Sequence, residues 1–153
     1  MKKSTGPYAL PRNLDPDLAQ VLAYWEGLKR GEAGMPFWDD VNLSALPNLS
    51  KRLMLIEAFD KPLRFRLGTV GAELAERYRG DLSNKFLDET ETHHPLQYLN
   101  SQCSATVEKR APSYYQHRAA KTRVRPAEEY SRLLLPMWGN GHIGMLLGAV
   151  TWE

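Results

Sequence analysis

The chain has 153 residues, 42% of them hydrophobic and 25% charged, which excludes disordered, collagen-like and coiled-coil chains and fits one globular domain with a genuine core. A formal net charge of +2 is too small to make nucleic acid or an anionic membrane the default partner. The single cysteine, Cys103, excludes an internal disulfide or a multi-cysteine zinc site and favours a reducing compartment, so a cytoplasmic location is expected.

Lys2 and Lys3 are followed by Ser4-Thr5-Gly6-Pro7 where a signal peptide needs an apolar run. The longest nearly apolar stretch, Ile143 to Trp152, is ten residues, short of the ~20 that span a bilayer. No membrane association is therefore expected. Residues 1–13 carry Gly6, Pro7 and Pro11 without an apolar period and read as a flexible lead-in to a single domain over 14–153. Asp15-Pro16 is a helix start, with the carboxylate capping free N–H groups and the proline placed where its missing N–H is harmless. Leu18, Val21, Leu22, Trp25 and Leu28 recur at three- and four-residue spacing, so a helix over 14–30 carries one apolar face. Self-association through this helix and the adjacent sheet is expected, so that a second copy of the chain or a protein partner serves that stripe.

Residues 35–50 mix Pro36, Pro47, Phe37, Trp38, Asp39 and Asp40 and predict an ordered connector with a short helical turn. The sheet and its lid helices are expected over 53–153. Leu53 to Phe59 and Leu63 to Gly68 predict a hairpin turned at Asp60-Lys61-Pro62, with Arg64 and Arg66 opposite Leu63, Phe65 and Leu67. A short helix capped by Thr69 and stopped at Gly80 should follow. A second, begun at Pro95 and closed before Pro112, places Leu96, Leu99, Cys103 and Val107 inward. Three strands complete the chain: Ser113 to Arg125, Glu129 to Met137, and His142 to Trp152, the last two joined at Gly139-Asn140-Gly141. Apolar residues on both sides of the last strand, with Gly144 and Gly148 among them, predict a central strand covered on both faces, with the first helix the obvious cover for one of them.

The predicted order is helix, two strands, helical segment and three strands. It carries Leu22-Ala23-Tyr24-Trp25, Asp40-Val41-Asn42 with Leu46-Pro47, Phe65-Arg66-Leu67-Gly68-Thr69, Gly80-Asp81-Leu82-Ser83 and Leu133-Leu134-Leu135-Pro136. From about residue 20 onward this resembles a PAS domain, and more narrowly the proteobacterial PAS-like family of small, mostly single-domain proteins. Trp38, Leu43 and Asn84 depart from that family's pattern, though Asn suits the left-handed backbone that the usual glycine supplies. The resemblance implies an α+β fold with a five-stranded antiparallel sheet, short helices on one face enclosing a pocket, and an N-terminal amphipathic helix. It implies a non-catalytic sensor or interaction role in signalling or regulation and names no cofactor.

No catalytic motif of the common hydrolase, phosphate-loop, metalloprotease or dinucleotide types is present. Candidates for contact with a small-molecule ligand are Arg66, as a planar donor to an anion, with Tyr115, His117, Cys103 and Met145. His93-His94, after three acidic residues, could ligate a metal, but a solvated pair, with one of them able to cap the helix begun at Pro95, is favoured. Seven cations against two carboxylates over 109–132, with Tyr114 and Tyr115 interleaved, leave a nucleic-acid alternative open, although a solvated outer strand is the favoured account. A small enzyme with a His or carboxylate base is the other alternative, favoured only if a titratable group proves buried beside a cleft.

Overall fold

A computed structural model describes residues 8–82 and 84–152; Ser83 of the Gly80–Ser83 motif and the first seven residues of the lead-in lie outside them. The fold is α+β. Helix α1 (Pro16–Gly27) precedes strands β1 (Leu53–Phe59) and β2 (Arg64–Val70). Helices α2 (Ala72–Tyr78) and α3 (Leu99–Lys109) follow, then β3 (Ser113–Ala119), β4 (Glu128–Gly139) and β5 (His142–Trp152). The strands form one antiparallel sheet in the order β2-β1-β5-β4-β3, which puts β5 at its centre, as its two apolar sides require. Gly148 lies against β1, where a Cβ would stand 2.7 Å from Met54 Cε. The β4–β5 turn uses left-handed Asn140 (φ 57°) and Gly141 (φ 83°), as the Gly-Asn-Gly sequence predicts. Among the described residues, no helix is long and apolar enough to cross a membrane.

Alternation along the strands divides the sheet into two faces. On one, Tyr130, Arg132 and Leu134 of β4 lie beside Val150 and Leu146 of β5 and Met54 and Ile56 of β1; α2 and α3 cover this lid face. On the other, Leu133 and Leu135 lie beside Ala149, Leu147, Leu53 and Leu55, and α1 covers them. Asp15 caps α1 by accepting from Leu18 N–H at 2.9 Å, and its second oxygen accepts from Thr151 Oγ1 at 2.8 Å. Trp25 Nε1 donates to Pro136 O at 2.9 Å.

Leu18, Val21 and Trp25 are consequently buried to within 1% exposure, and Leu22 packs at the edge of the same core. This corrects the expectation that the stripe from Leu18 to Leu28 serves a second copy: the chain's own sheet is the cover. The helix also stops at Gly27 rather than near Arg30.

Three 3₁₀ turns, Trp38–Asp40, Leu43–Ala45 and Ser50–Arg52, organise the connector. Strand β2 runs on through Thr69, so Gly71 rather than Thr69 stands at the start of α2, and left-handed Arg79 ends it one residue before Gly80. Left-handed Asn84 (φ 60°) turns the following segment back along β2, where Asn84 N–H donates to Leu67 O and Leu67 N–H to Lys85 O. α3 begins at Leu99, after left-handed Tyr98, instead of at Pro95. β3 ends at Ala119 because β4 begins opposite it at Glu128, leaving Lys121, Arg123 and Arg125 in an exposed loop. From the described part of the lead-in, Tyr8 is tied down: its carbonyl accepts from Tyr114 N–H at 3.0 Å and its hydroxyl donates to Ser101 Oγ at 2.8 Å.

Candidate functional site

The middle of the lid face is filled by the chain itself. Met54, Ile56, Phe65, Leu67, Leu74, Leu96, Leu99, Leu134, Leu146 and Val150 are all within 1% exposure. Cys103 is sealed among them, and burial pushes its thiol pKa up, so it is a core residue and not a ligand contact. Arg66 and Met145 lie on the opposite face, where Arg66 Nη2 donates to Glu57 Oε2 at 2.8 Å and its guanidinium faces the rings of Phe59 and Phe86. The five ligand candidates therefore do not form one site. Only Tyr115 and His117, on the lid side of β3, belong to a common polar cluster.

That cluster is organised by a residue outside the candidate set. Arg132 is wholly buried under the lid. Its Nε donates to Gln102 Oε1 at 2.7 Å, Nη1 to Pro95 O at 3.2 Å and Nη2 to Gln97 O at 2.7 Å. Its charge lies near the rings of Tyr115 and Tyr130, at 5.1 and 5.8 Å, and among the described residues no carboxylate pairs with it. Burial lowers the guanidinium's pKa from its ordinary value, opposed by Tyr130, Cys103 and Tyr115. Burial likewise raises the Tyr130 phenol's. A desolvated cation held by neutral oxygens is costly to the extent that its donors go unmatched, and three separate acceptors, one for each guanidinium nitrogen, meet this one.

The network continues on both sides. Inward, Gln102 Nε2 donates to Ser113 Oγ at 3.0 Å, and Ser113 Oγ lies 2.6 Å from Thr106 Oγ1. Outward, the Tyr130 hydroxyl donates to Gln97 Oε1, and Gln97 Nε2 points at Glu128 Oε2 from 3.4 Å. His117 Nε2 stands 3.4 Å from that same oxygen and His94 Nδ1 3.9 Å, while His117 Nδ1 shares a 3.0 Å hydrogen bond with the Tyr115 hydroxyl. Three groups thus ring one carboxylate oxygen, all beyond the 2.7–3.2 Å of a good N–H···O bond. His94 Nδ1 is buried without a partner. Desolvation lowers the pKa of His94, opposed by Glu128 and reinforced by Arg77.

Glu128 and His94 form part of the wall of an open groove of about 830 Å³ between α2, the 93–94 segment and the start of β4. Glu73, Glu76, Arg77 and Tyr78 of α2, with Arg79, His93, Pro126, Ala127 and Trp152, complete its lining. His93 does not cap a helix: its ring stacks on Tyr78 at 3.8 Å and its Nε2 bonds the Tyr78 carbonyl. Among the described residues, no group of three His, Cys, Asp or Glu side chains is placed to hold a metal ion.

The basic run over 109–132 is dispersed by the fold. Arg132 is internal, Arg118 pairs with Glu129 at 3.1 Å, and Lys109 and Arg110 lie at the opposite end of β3 from Lys121, Arg123 and Arg125, about 20 Å apart at ~3.3 Å per strand residue. Compared with protein-family models, curated proteins and solved structures, the chain matches none.

Proposed function

We propose that the chain is a non-catalytic sensor or interaction domain of the PAS-like kind, which takes a small polar molecule in the groove beside Glu128. The observation that carries this reading is the under-coordinated Glu128 oxygen, with the buried, unpartnered His94 nitrogen 3.9 Å from it, in two residues that line an open groove. A buried polar group without partners is rare enough to need a cause, and a missing ligand or water is one such cause. The five-stranded sheet with helices over one face agrees with the architecture that the resemblance implies. The groove lies at the margin of the lid face and not beneath the lid's centre, where side chains fill the space. We assign the domain to the cytoplasm on its lone thiol.

Native mass spectrometry of gently purified protein, together with thermal-shift screening of a small-metabolite library, tests the reading. The expected result is an added small mass, or stabilisation by a library member, that is lost in Glu128→Gln. Neither effect in the native chain would end the sensor assignment. One observation favours a second reading: Glu128 and a neutral-leaning His94 beside a cleft are what a general base requires. An enzyme would convert the bound molecule, whereas a sensor returns it unchanged, so recovery and mass analysis of the ligand after incubation separates the two.

A further inference from the structure

Resting on that reading, we propose that the groove's ligand is a small zwitterionic amino acid, its ammonium bound by Glu128 and its carboxylate by Arg77. The lining of the groove carries opposite, incompletely used charges. Glu128 offers an oxygen whose nearest donors are all 3.4 Å or more away. The Arg77 guanidinium carbon lies 5.1 Å from the centre of the Trp152 ring, and no carboxylate pairs with it among the described residues. A guanidinium without a carboxylate partner keeps the planar N–H fork that binds a carboxylate with two parallel bonds.

The neighbouring groups sharpen the class. Glu73, on the same helix as Arg77, is engaged by Arg52 at 3.1 Å, and Glu76 and Arg79 also line the groove. His94 lies within the electrostatic reach of both Glu128 and Arg77, which places the two charges near one residue. A simple carboxylate would meet Glu128 without compensation, and a simple amine would leave Arg77 unused. A molecule with both charges offers a partner to each.

Isothermal titration with glycine, β-alanine, γ-aminobutyrate, lysine and glutamate, against methylamine and acetate as single-charge probes, tests the assignment on the full chain. At least one amino acid should bind saturably and at least about tenfold more tightly than either single-charge probe. Glu128→Gln and Arg77→Met should each weaken it by at least about tenfold, as expected for loss of one charged hydrogen-bonding partner. Both positions are accessible enough that thermal melts can verify folding of the variants. Acetate or methylamine binding as tightly as every amino acid would overturn the zwitterion assignment. So would unchanged affinity in either folded variant. If other metabolites bind and no amino acid does, the ligand class is wrong and the sensor reading stands; if no metabolite binds and none co-purifies, both fall.

Discussion

Replacing Gln102 by Leu keeps the size of a fully buried side chain and removes the acceptor that Arg132 Nε uses at 2.7 Å. A hydrogen bond to a charged group contributes about 1.5–3 kcal/mol, and an ordinary one about 1 kcal/mol. Gln102 also donates to Ser113 Oγ and Arg132 O, but Ser113 retains Thr106 as a partner, so the net loss should be about 3 kcal/mol. At about 2–4 °C per kcal/mol for a chain of this size, Tm should fall by roughly 6–12 °C. Urea denaturation of Gln102→Leu, Arg132→Met and the double variant should show strong non-additivity, because the shared bond is lost once. The double variant should be less destabilised than the sum of the singles by about 1.5–3 kcal/mol, with m unchanged. Additivity within about 0.5 kcal/mol would show that the guanidinium does not depend on Gln102, and the account of the buried layer would be wrong.

Trp25→Ala should cost about 3–5 kcal/mol, independent of protein concentration, because Trp25 packs in its own protomer and donates to Pro136 O. A destabilisation that grows on dilution would instead restore an intermolecular role for α1. Burial holds the His94 pKa below its ordinary 6.5, so below that pH the unfolded chain binds more protons than the folded one. Stability should therefore be intact above about pH 6.5 and fall on acidification through the depressed folded value. His94→Gln should remove that part of the slope in pH-dependent urea titrations. An unchanged slope would assign the acid sensitivity to other groups.

Much of the fold was legible because it follows from periodicity and turn chemistry. The Asp15 cap, the Asn140-Gly141 turn and the double-sided apolar pattern of β5 each express a local rule, and each appears in place. The fate of the α1 stripe was not legible, since an amphipathic helix has the same sequence whether its cover is its own sheet or another chain's. Arg132 misleads for a different reason: charge argues for solvent, and it falls within a basic run. The contrary signal lay beside it in Leu133-Leu134-Leu135, where consecutive apolar residues require both faces of the strand to be covered. Arg132 shares its face with Leu134 and Tyr130, so it has no outer side to occupy. The same reasoning brings Gln102, between Leu99 and Thr106 on the inner side of α3, into the interior. The pairing of Glu128 with His94 and His117 depends on three segments meeting and has no local sequence signature.

A buried cation is weak evidence for stability, because apolar side chains of similar size often serve as well or better. Its effect here is better sought in register. Leu99 and Cys103 would tolerate small shifts of α3 over the sheet, since contacts among methyl groups and sulfur are non-directional. The three bonds of Arg132 would not: one acceptor is on α3 and two are carbonyls of the segment before it, so a shift leaves a buried donor unmatched. Gln97 extends this constraint to the groove, because its carbonyl holds Arg132 while its side chain meets Tyr130 and faces Glu128. The position of the groove's acidic wall relative to α3 is therefore set by the same few hydrogen bonds that lock the lid onto β4. Under the proposed reading, a ligand at Glu128 acts on a part of the domain where packing is directional.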